Sequence, residues 1–318
     1  MHDQGAAYDR LGARLKRGCV MKRSLLFIPG NRPNMIQNGL VLPADALIFD
    51  LEDSVLEEEK DAARTLVASA LSSLDFGSKA LVVRMNDMSS PHALKDIQAV
   101  VQAGCESILL PKTEHAHDIS ELDRWLDTVE QEAGIPTGST SLILLIETAL
   151  GVEKAYELAK ASKRVKALAL GAEDLAANLG CERTGEGTEI LYSRTRLVIA
   201  ARAAGVEVFD TPFTDAYDEG GCFLDTVFAK KLGFDGKLCI SPHHLAPIHK
   251  AFTPSQEALE NALEVQQAMQ EAQREGRGAV ALRGRMIDMP VLKQAKRVIQ
   301  WAKASGMLKG EVDDESGQ

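Results

Sequence analysis

Along this chain, short runs of consecutive apolar residues alternate with longer stretches in which apolar positions recur every three or four residues. Eight runs are of the first kind: "SLLFIP", "ADALIFDLE", "KALVVRMN", "SILLPK", "SLILLIET", "VKALALGAED", "VEVFDTP" and "GFDGKLCISP". Unbroken hydrophobicity, rather than alternation, marks strands buried on both faces. Seven intervals of helical spacing separate them. "SVLEEEKDAARTLVASALSSL" has the charge and the 3.6-residue period of an amphipathic helix, and "GVEKAYELAKAS" and "EILYSRTRLVIAARAAG" repeat that character. Strand and helix, eight times over about 220 residues, predict an α/β fold of the (β/α)8 TIM barrel type rather than a doubly wound sheet. No GxGxxG follows the first strand, which removes the usual support for a dinucleotide-binding sheet.

The rhythm changes after "HLAPIHKAFTPS". A long polar helix is predicted from Gln256 to Glu275, then a Gly-rich break, "EGRGAVALRGR", then a last helix starting near Pro290. Residues 22–252 read as the barrel and 253–308 as a helical extension whose apolar content is too thin for a core of its own, so that it needs the barrel or a neighbouring subunit to pack on. Residues 1–21 read as a flexible extension without the apolar segment of a secretory signal, with Met21 an alternative start; the polar tail 309–318 reads as disordered.

Composition narrows the partners. With 45% hydrophobic and 26% charged residues the chain suits a soluble globular protein, and no apolar run approaches the roughly 20 residues of a membrane helix. A net charge of −10 argues against a nucleic-acid or anionic-membrane surface, which needs clustered Lys and Arg. Five cysteines, an odd set without CxxC spacing, favour neither a disulfide framework nor a zinc site and point to a reducing, cytoplasmic setting.

The candidate chemistry lies where the strands end. The ends are Pro29-Gly30-Asn31, Asp50-Leu51-Glu52-Asp53, Arg84-Met85-Asn86, Lys112, Glu147-Thr148, Glu173-Asp174, Asp210-Thr211-Pro212 and Ser241-Pro242. A barrel delivers all of them to one face. Carboxylates brought together without a counterion repel and take up protons, and a divalent cation resolves this. Glu147 and Asp174 with an oxygen-rich substrate suit Mg2+, and the same ligands serve Mn2+. Arg84, with its planar fork, suits a substrate carboxylate, and Lys112 suits pairing with one of the acids. Against this stands a plainer reading of strand-end acids as helix caps or partners of surface Lys and Arg; it is preferred for Asp45 and Asp210 and stays open for Asp174, at the start of an Ala-rich helix. His115 and His117 lack the i, i+4 spacing of helical metal ligands and read as surface residues; of His243 and His244, at most one touches a ligand.

The series "RSLLFIPGNRP", "IFDLEDSV", "VVRMN", "LLPKTE", "LIETALGV", "ALGAEDLAANLG", "GFDGKLCISP" and "GRMIDMPVLKQAKR" runs in order between about Arg23 and Lys303. It resembles the citrate lyase beta-subunit-like proteins of the HpcH/HpaI aldolase superfamily, with "MIDMP" and its surroundings most like the citramalyl-CoA lyases. The resemblance implies a TIM barrel with a C-terminal helical extension, assembled as a homotrimer or hexamer. It implies Mg2+-dependent carbon–carbon cleavage of a 3-hydroxyacyl-CoA thioester, citramalyl-CoA to acetyl-CoA and pyruvate. The alternatives are a malyl-CoA or citryl-thioester lyase and a class II aldolase acting on a free hydroxy-keto acid. By the same resemblance Glu147 and Asp174 hold the metal and Arg84 the substrate carboxylate. Asp288 is the catalytic acid/base, reaching a neighbouring subunit's site, although it also reads as a cap for the helix at Pro290. Glu52 and Asp53 stand behind metal-bound water, and Phe27, Arg32, Ile240 and Ser241 lie against the substrate. Three positions depart from the family pattern: Asn34 and Asn38 stand where relatives carry lysines, leaving Arg32 as the nearby cation, and Ser241 replaces a histidine.

Overall fold

The structure is a computed structural model that describes residues 22–308. The predicted extension 1–21 and tail 309–318 lie outside the described residues. The rest falls into two compact units, one ending at Ile248 and the other beginning at His249.

In the first unit eight parallel strands close into a barrel in sequence order: β1 (Ser24–Pro29), β2 (Ala46–Asp50), β3 (Ala80–Arg84), β4 (Ser107–Leu110), β5 (Ser141–Ile146), β6 (Val165–Leu170), β7 (Glu207–Asp210) and β8 (Gly236–Cys239), with β8 paired to β1. Helices intervene: α1 (Pro33–Asn38), α2 (Lys60–Ser73), α3 (Ala93–Gln102), α4 (Ala116–Glu132), α5 (Ala149–Lys160), α6 (Ala172–Leu179), α7 (Leu191–Ala204) and α8 (Glu219–Leu232); α9 (Leu245–Phe252) follows β8. The eight predicted runs are the eight strands. α1 is an addition, a turn and a half too short to leave a periodic signal.

The barrel interior is one apolar cluster to which every strand contributes, including Leu25, Ala46 and Ile48, Val82, Leu109, Ile143 and Leu145, Ala167 and Ala169, Phe209, and Leu238. The two-residue spacing within β2, β5 and β6 is the pleat at work: alternate side chains fill the barrel and the others lie under the helices. The same parity, carried one step past the last interior residue, decides which strand-end side chains turn over the barrel axis.

The second unit has a core of its own, contrary to the expectation from its composition. α10 (Gln256–Arg274) and α11 (Met289–Ala304) are joined by an antiparallel hairpin of β9 (Val280–Leu282) and β10 (Arg285–Ile287). Leu259, Ala262, Val265 and Met269 on α10 meet Leu292, Ala295, Ile299 and Ala302 on α11, and Ile287 joins them. Each stripe is narrow, which is why the helices read as polar, but two narrow stripes facing each other exclude water together. The hairpin turns at Arg283 and Gly284, both with positive φ, the pattern of a tight two-residue turn. Its three-residue strands are too short to show alternation in the sequence.

Candidate active site

At the carboxyl ends of the strands a cavity of about 510 Å3 opens, within the size range of small-molecule sites. Phe27, Asp50, Arg84, Glu147, Asp174, Thr211 and Ile240 are among its lining residues. Parity accounts for most of them. Asp50 follows Ile48 by two, Arg84 follows Val82, Glu147 follows Leu145, Thr211 follows Phe209 and Ile240 follows Leu238, so each continues an inward-facing row.

Asp50 and Arg84 are partners across the β2–β3 ladder. Arg84 Nε and Nη2 donate to the two carboxylate oxygens of Asp50 at 2.7 and 2.6 Å, and its Nη1 lies 3.1 Å from Glu52 Oε2. The guanidinium stacks 5.1 Å from the Phe27 ring centroid. Burial pushes the Asp50 carboxyl up, but the bonds and charge of Arg84 outweigh it and hold the group below the ordinary range. By sequence Asp50 stands at the rim without an assigned role. The structure makes it the residue that orients Arg84: Asp50 engages Nε and Nη2, while Nη1 faces Glu52 and donates to Asp53 Oδ2 at 3.5 Å.

Lys112 has φ of 48°, a conformation that costs a side-chain-bearing residue energy and is kept only where its surroundings demand it. The demand is visible: its amide donates to Glu147 Oε1 at 2.7 Å while its Nζ donates to Glu52 Oε1 at 2.7 Å. In a regular strand the amide would point along the sheet to the neighbouring strand and the side chain would stand perpendicular to it. The expected pairing of Lys112 with an acid is thus present, and the backbone contact adds a tie to Glu147 that no sequence signal announced.

Glu147 is 2% exposed. Burial, then the charges of Asp174 and Glu52, push its carboxyl up to about 8. A Cβ on Gly171 would lie 2.6 Å from Glu147 Oε2, so only glycine leaves room for this carboxylate. Glu52, also raised chiefly by burial, has its Oε2 buried without a hydrogen bond. Asp174 is the third residue of α6 and the cap position is Gly171, so the capping reading of Asp174 does not describe its place.

Together these are five carboxylates, Asp50, Glu52, Asp53, Glu147 and Asp174, against the two cations Arg84 and Lys112. That donor set fits a hard divalent ion. Among the described residues no group of three His, Cys, Asp or Glu converges on one point. An ion held here would therefore take two protein carboxylates and complete its shell with water and substrate oxygens, as Mg2+ commonly does.

The other expected site residues lie elsewhere. Arg32 is exposed before α1 and is not among the cavity's lining residues. Ser241, one residue beyond Ile240, has the opposite parity: its hydroxyl donates to the Ala216 carbonyl at 3.0 Å and accepts from the His243 amide. Asp210 is fully buried outside the barrel wall, clamped by Arg194 Nε at 2.9 Å and Lys237 Nζ at 2.6 Å, neither a helix cap nor a surface partner. Asp45 binds Arg23 through both oxygens. His244 is buried against the Asp215 carbonyl, and His115, His117 and His243 are substantially exposed. In the second unit, Asp288 caps α11, its Oδ1 accepting from the Val291 amide at 3.2 Å.

A closed parallel barrel with buried acids gathered at its strand ends is the architecture of an enzyme. The HpcH/HpaI aldolase/citrate lyase family matches residues 23–242. The citrate lyase subunit beta of Leuconostoc mesenteroides subsp. cremoris is 41% identical over 291 residues, 92% of this chain and 96% of that one. The L-malyl-CoA/beta-methylmalyl-CoA lyase of Cereibacter sphaeroides (strain ATCC 17025 / ATH 2.4.3) is 34% identical, covering 88% of this chain and 94% of that protein. Among solved structures, CitE from Mycobacterium tuberculosis in complex with magnesium, acetoacetate and coenzyme A aligns with a TM-score of 0.71 and 32% identity over 89% of this chain and 98% of that one. The chain belongs to the HpcH/HpaI aldolase/citrate lyase family, and it is an enzyme of the carbon–carbon lyase class. No helix among the described residues is long and apolar enough to cross a membrane.

Proposed function

We propose that this protein is a Mg2+-dependent lyase that cleaves the bond between the hydroxyl-bearing carbon and the α-carbon of a 3-hydroxyacyl thioester. The observation that carries the reading is the buried Glu147, open with Asp174 and Arg84 to one cavity and short of positive charge. Relatives named as citrate lyase beta subunit and malyl-CoA lyase, and a related structure holding magnesium and coenzyme A, support the thioester and the metal.

Glu147 and Asp174 would hold Mg2+, with Mn2+ an equivalent guest, and when bound the ion withdraws electron density from the substrate's hydroxyl and neighbouring carboxylate oxygens. Arg84, oriented and kept charged by Asp50, binds the substrate carboxylate through the donors Asp50 leaves available. Phe27 walls the guanidinium on one side and Ile240 contributes apolar surface to the same cavity. Lys112 holds Glu147 by its amide and Glu52 by its ammonium, so that neither carboxylate swings toward the other. As the carbon–carbon bond breaks, the hydroxyl proton passes to water and the hydroxyl carbon becomes the carbonyl carbon of a 2-oxo acid. The electron pair passes to the thioester half as an enolate, which takes a proton at its α-carbon. Asp288 of a neighbouring subunit in a homo-oligomer is the group assigned to that proton.

Two acyl groups are favoured by different observations. The "MIDMP" motif supports citramalyl-CoA, which would yield pyruvate and acetyl-CoA. The 41% identity to a citrate lyase beta subunit supports a citryl thioester. A methyl-sized difference is worth only about 1–3 kcal/mol in a pocket, so the two are separated by turnover. The test is release of 2-oxo acid, with and without EDTA, from citramalyl-CoA, malyl-CoA, citryl thioester and the free acids. Cleavage of a thioester that is lost with EDTA and in Glu147→Ala is expected. Cleavage of free acids only would move the protein to the class II aldolases, and full activity in Asp288→Asn would remove that residue from the proton transfer.

A further inference from the structure

At a helix cap position Ser, Thr, Asp and Asn offer a side-chain oxygen that accepts one of the helix's first amides, and glycine is also common there. In α6 the position is Gly171, and any side chain there would run into Glu147, since a Cβ would lie 2.6 Å from Oε2 and 2.8 Å from the Glu147 Cβ. The carboxylate therefore excludes every capping side chain. The first helical amide, that of Ala172, donates instead to Oγ1 of Thr211 at 3.1 Å, from the end of β7. Thr211 is 1% exposed and belongs to the row that faces the barrel axis. At its other end α6 is tied as well: Asn178 Oδ1 accepts from the amide of Ala149, two residues past Glu147.

α6 carries Asp174 in its first turn. We propose that Thr211 is a positioning residue for divalent-cation binding: by capping α6 from the neighbouring strand it fixes Asp174 in register with Glu147. The inference rests on the reading of Glu147 and Asp174 as the cation's ligands. It explains why a threonine stands one residue beyond the buried Asp210. Asp210 closes an ion cluster outside the wall, while Thr211 turns inward and supplies the hydrogen bond that Glu147 denies to Gly171.

The test uses Mn2+ as the probe, with its free concentration followed by electron paramagnetic resonance in the purified full-length protein. Thr211→Val, of the same shape but without the hydroxyl, is expected to raise the Mn2+ Kd about 10- to 100-fold, whereas Thr211→Ser stays within about threefold of wild type. Saturating Mn2+ is expected to return the kcat of Thr211→Val toward wild type, a recovery that loss of a substrate contact would not give. Wild-type Mn2+ affinity in Thr211→Val, with binding lost in Glu147→Ala, would overturn the positioning role and leave the cation reading standing. Unchanged binding in Glu147→Ala would overturn both. Should Thr211→Val fold poorly, Thr211→Ala carries the same expectation and the same overturning result.

Discussion

Glu147 and Asp210 are both acids at the ends of barrel strands, both removed from water, and yet they do opposite things. Asp210 follows Phe209, an interior residue, by one, so it turns outward beneath α7 and α8, where Arg194 and Lys237 neutralise it and Asp225 completes the cluster. Glu147 follows Leu145 by two, so it turns over the barrel axis, where it receives a backbone amide but no cation of its own. The first arrangement is satisfied and structural. The second is unsatisfied, which is costly for the protein alone and, on the proposed function, useful once a cation and an anionic substrate arrive.

Removing Asp210 tests this contrast most severely. Asp210→Ala leaves Arg194 and Lys237 buried with only Asp225 between them, so stability should fall by about 3–5 kcal/mol in urea denaturation. A loss below about 1 kcal/mol would mean that the cluster does not hold the wall together.

Glu147→Gln should act in the other direction. The amide keeps an acceptor for the Lys112 N–H but removes the charge. Because the Glu147 carboxyl lies at about 8, above the ordinary glutamate value, the protein freed of divalent cations is favoured by it at low pH and loses that stability as pH rises through about 8. The Gln variant lacks that loss, so in EDTA at pH 9 it should be about 1–2 kcal/mol more stable than wild type. Its cleavage rate should fall about 100-fold or more. A destabilised variant would show that Glu147 is compensated in a way the contrast denies.

Lys112 sharpens the comparison at the backbone. If its positive φ is held for the contacts with Glu147 and Glu52, then Lys112→Gly should be more stable than Lys112→Ala by about 1 kcal/mol, since only glycine takes that conformation freely. Equal melting temperatures would remove the strain argument.

The smallest effects come from the neighbours Ile240 and Ser241. Ile240→Ala should raise KM severalfold, because the side chain lines the cavity. Ser241→Ala should instead cost about 1 kcal/mol in stability through its lost hydrogen bonds. The reverse pattern would mean that parity does not govern the end of β8.

Much of this was legible in the chain. Eight continuous apolar runs could only be strands buried on both faces, and their number called for closure. The polar residues at their ends marked the functional face, and the order of the motifs marked the family. The two short strands around Arg283 and Gly284 were hidden because three residues cannot display a period. The core of the second unit was hidden because each of its helices carries only half of it.

The strand pattern by itself determined the barrel, since burial on two faces leaves few other architectures, and it determined that Glu147, Asp174 and Arg84 share one rim. Only the tertiary structure decided what each rim residue does. Asp50 became the clamp on Arg84 through cross-strand register, Lys112 reached two acids through a left-handed backbone, Asp210 and Ser241 turned away from the cavity, and Thr211 turned toward it. Composition says which charges are present. Whether a buried carboxylate meets an arginine, an amide or a cavity depends on a single step in the pleat and on what the neighbouring strand brings to that height, and those are properties of the closed barrel rather than of any one strand.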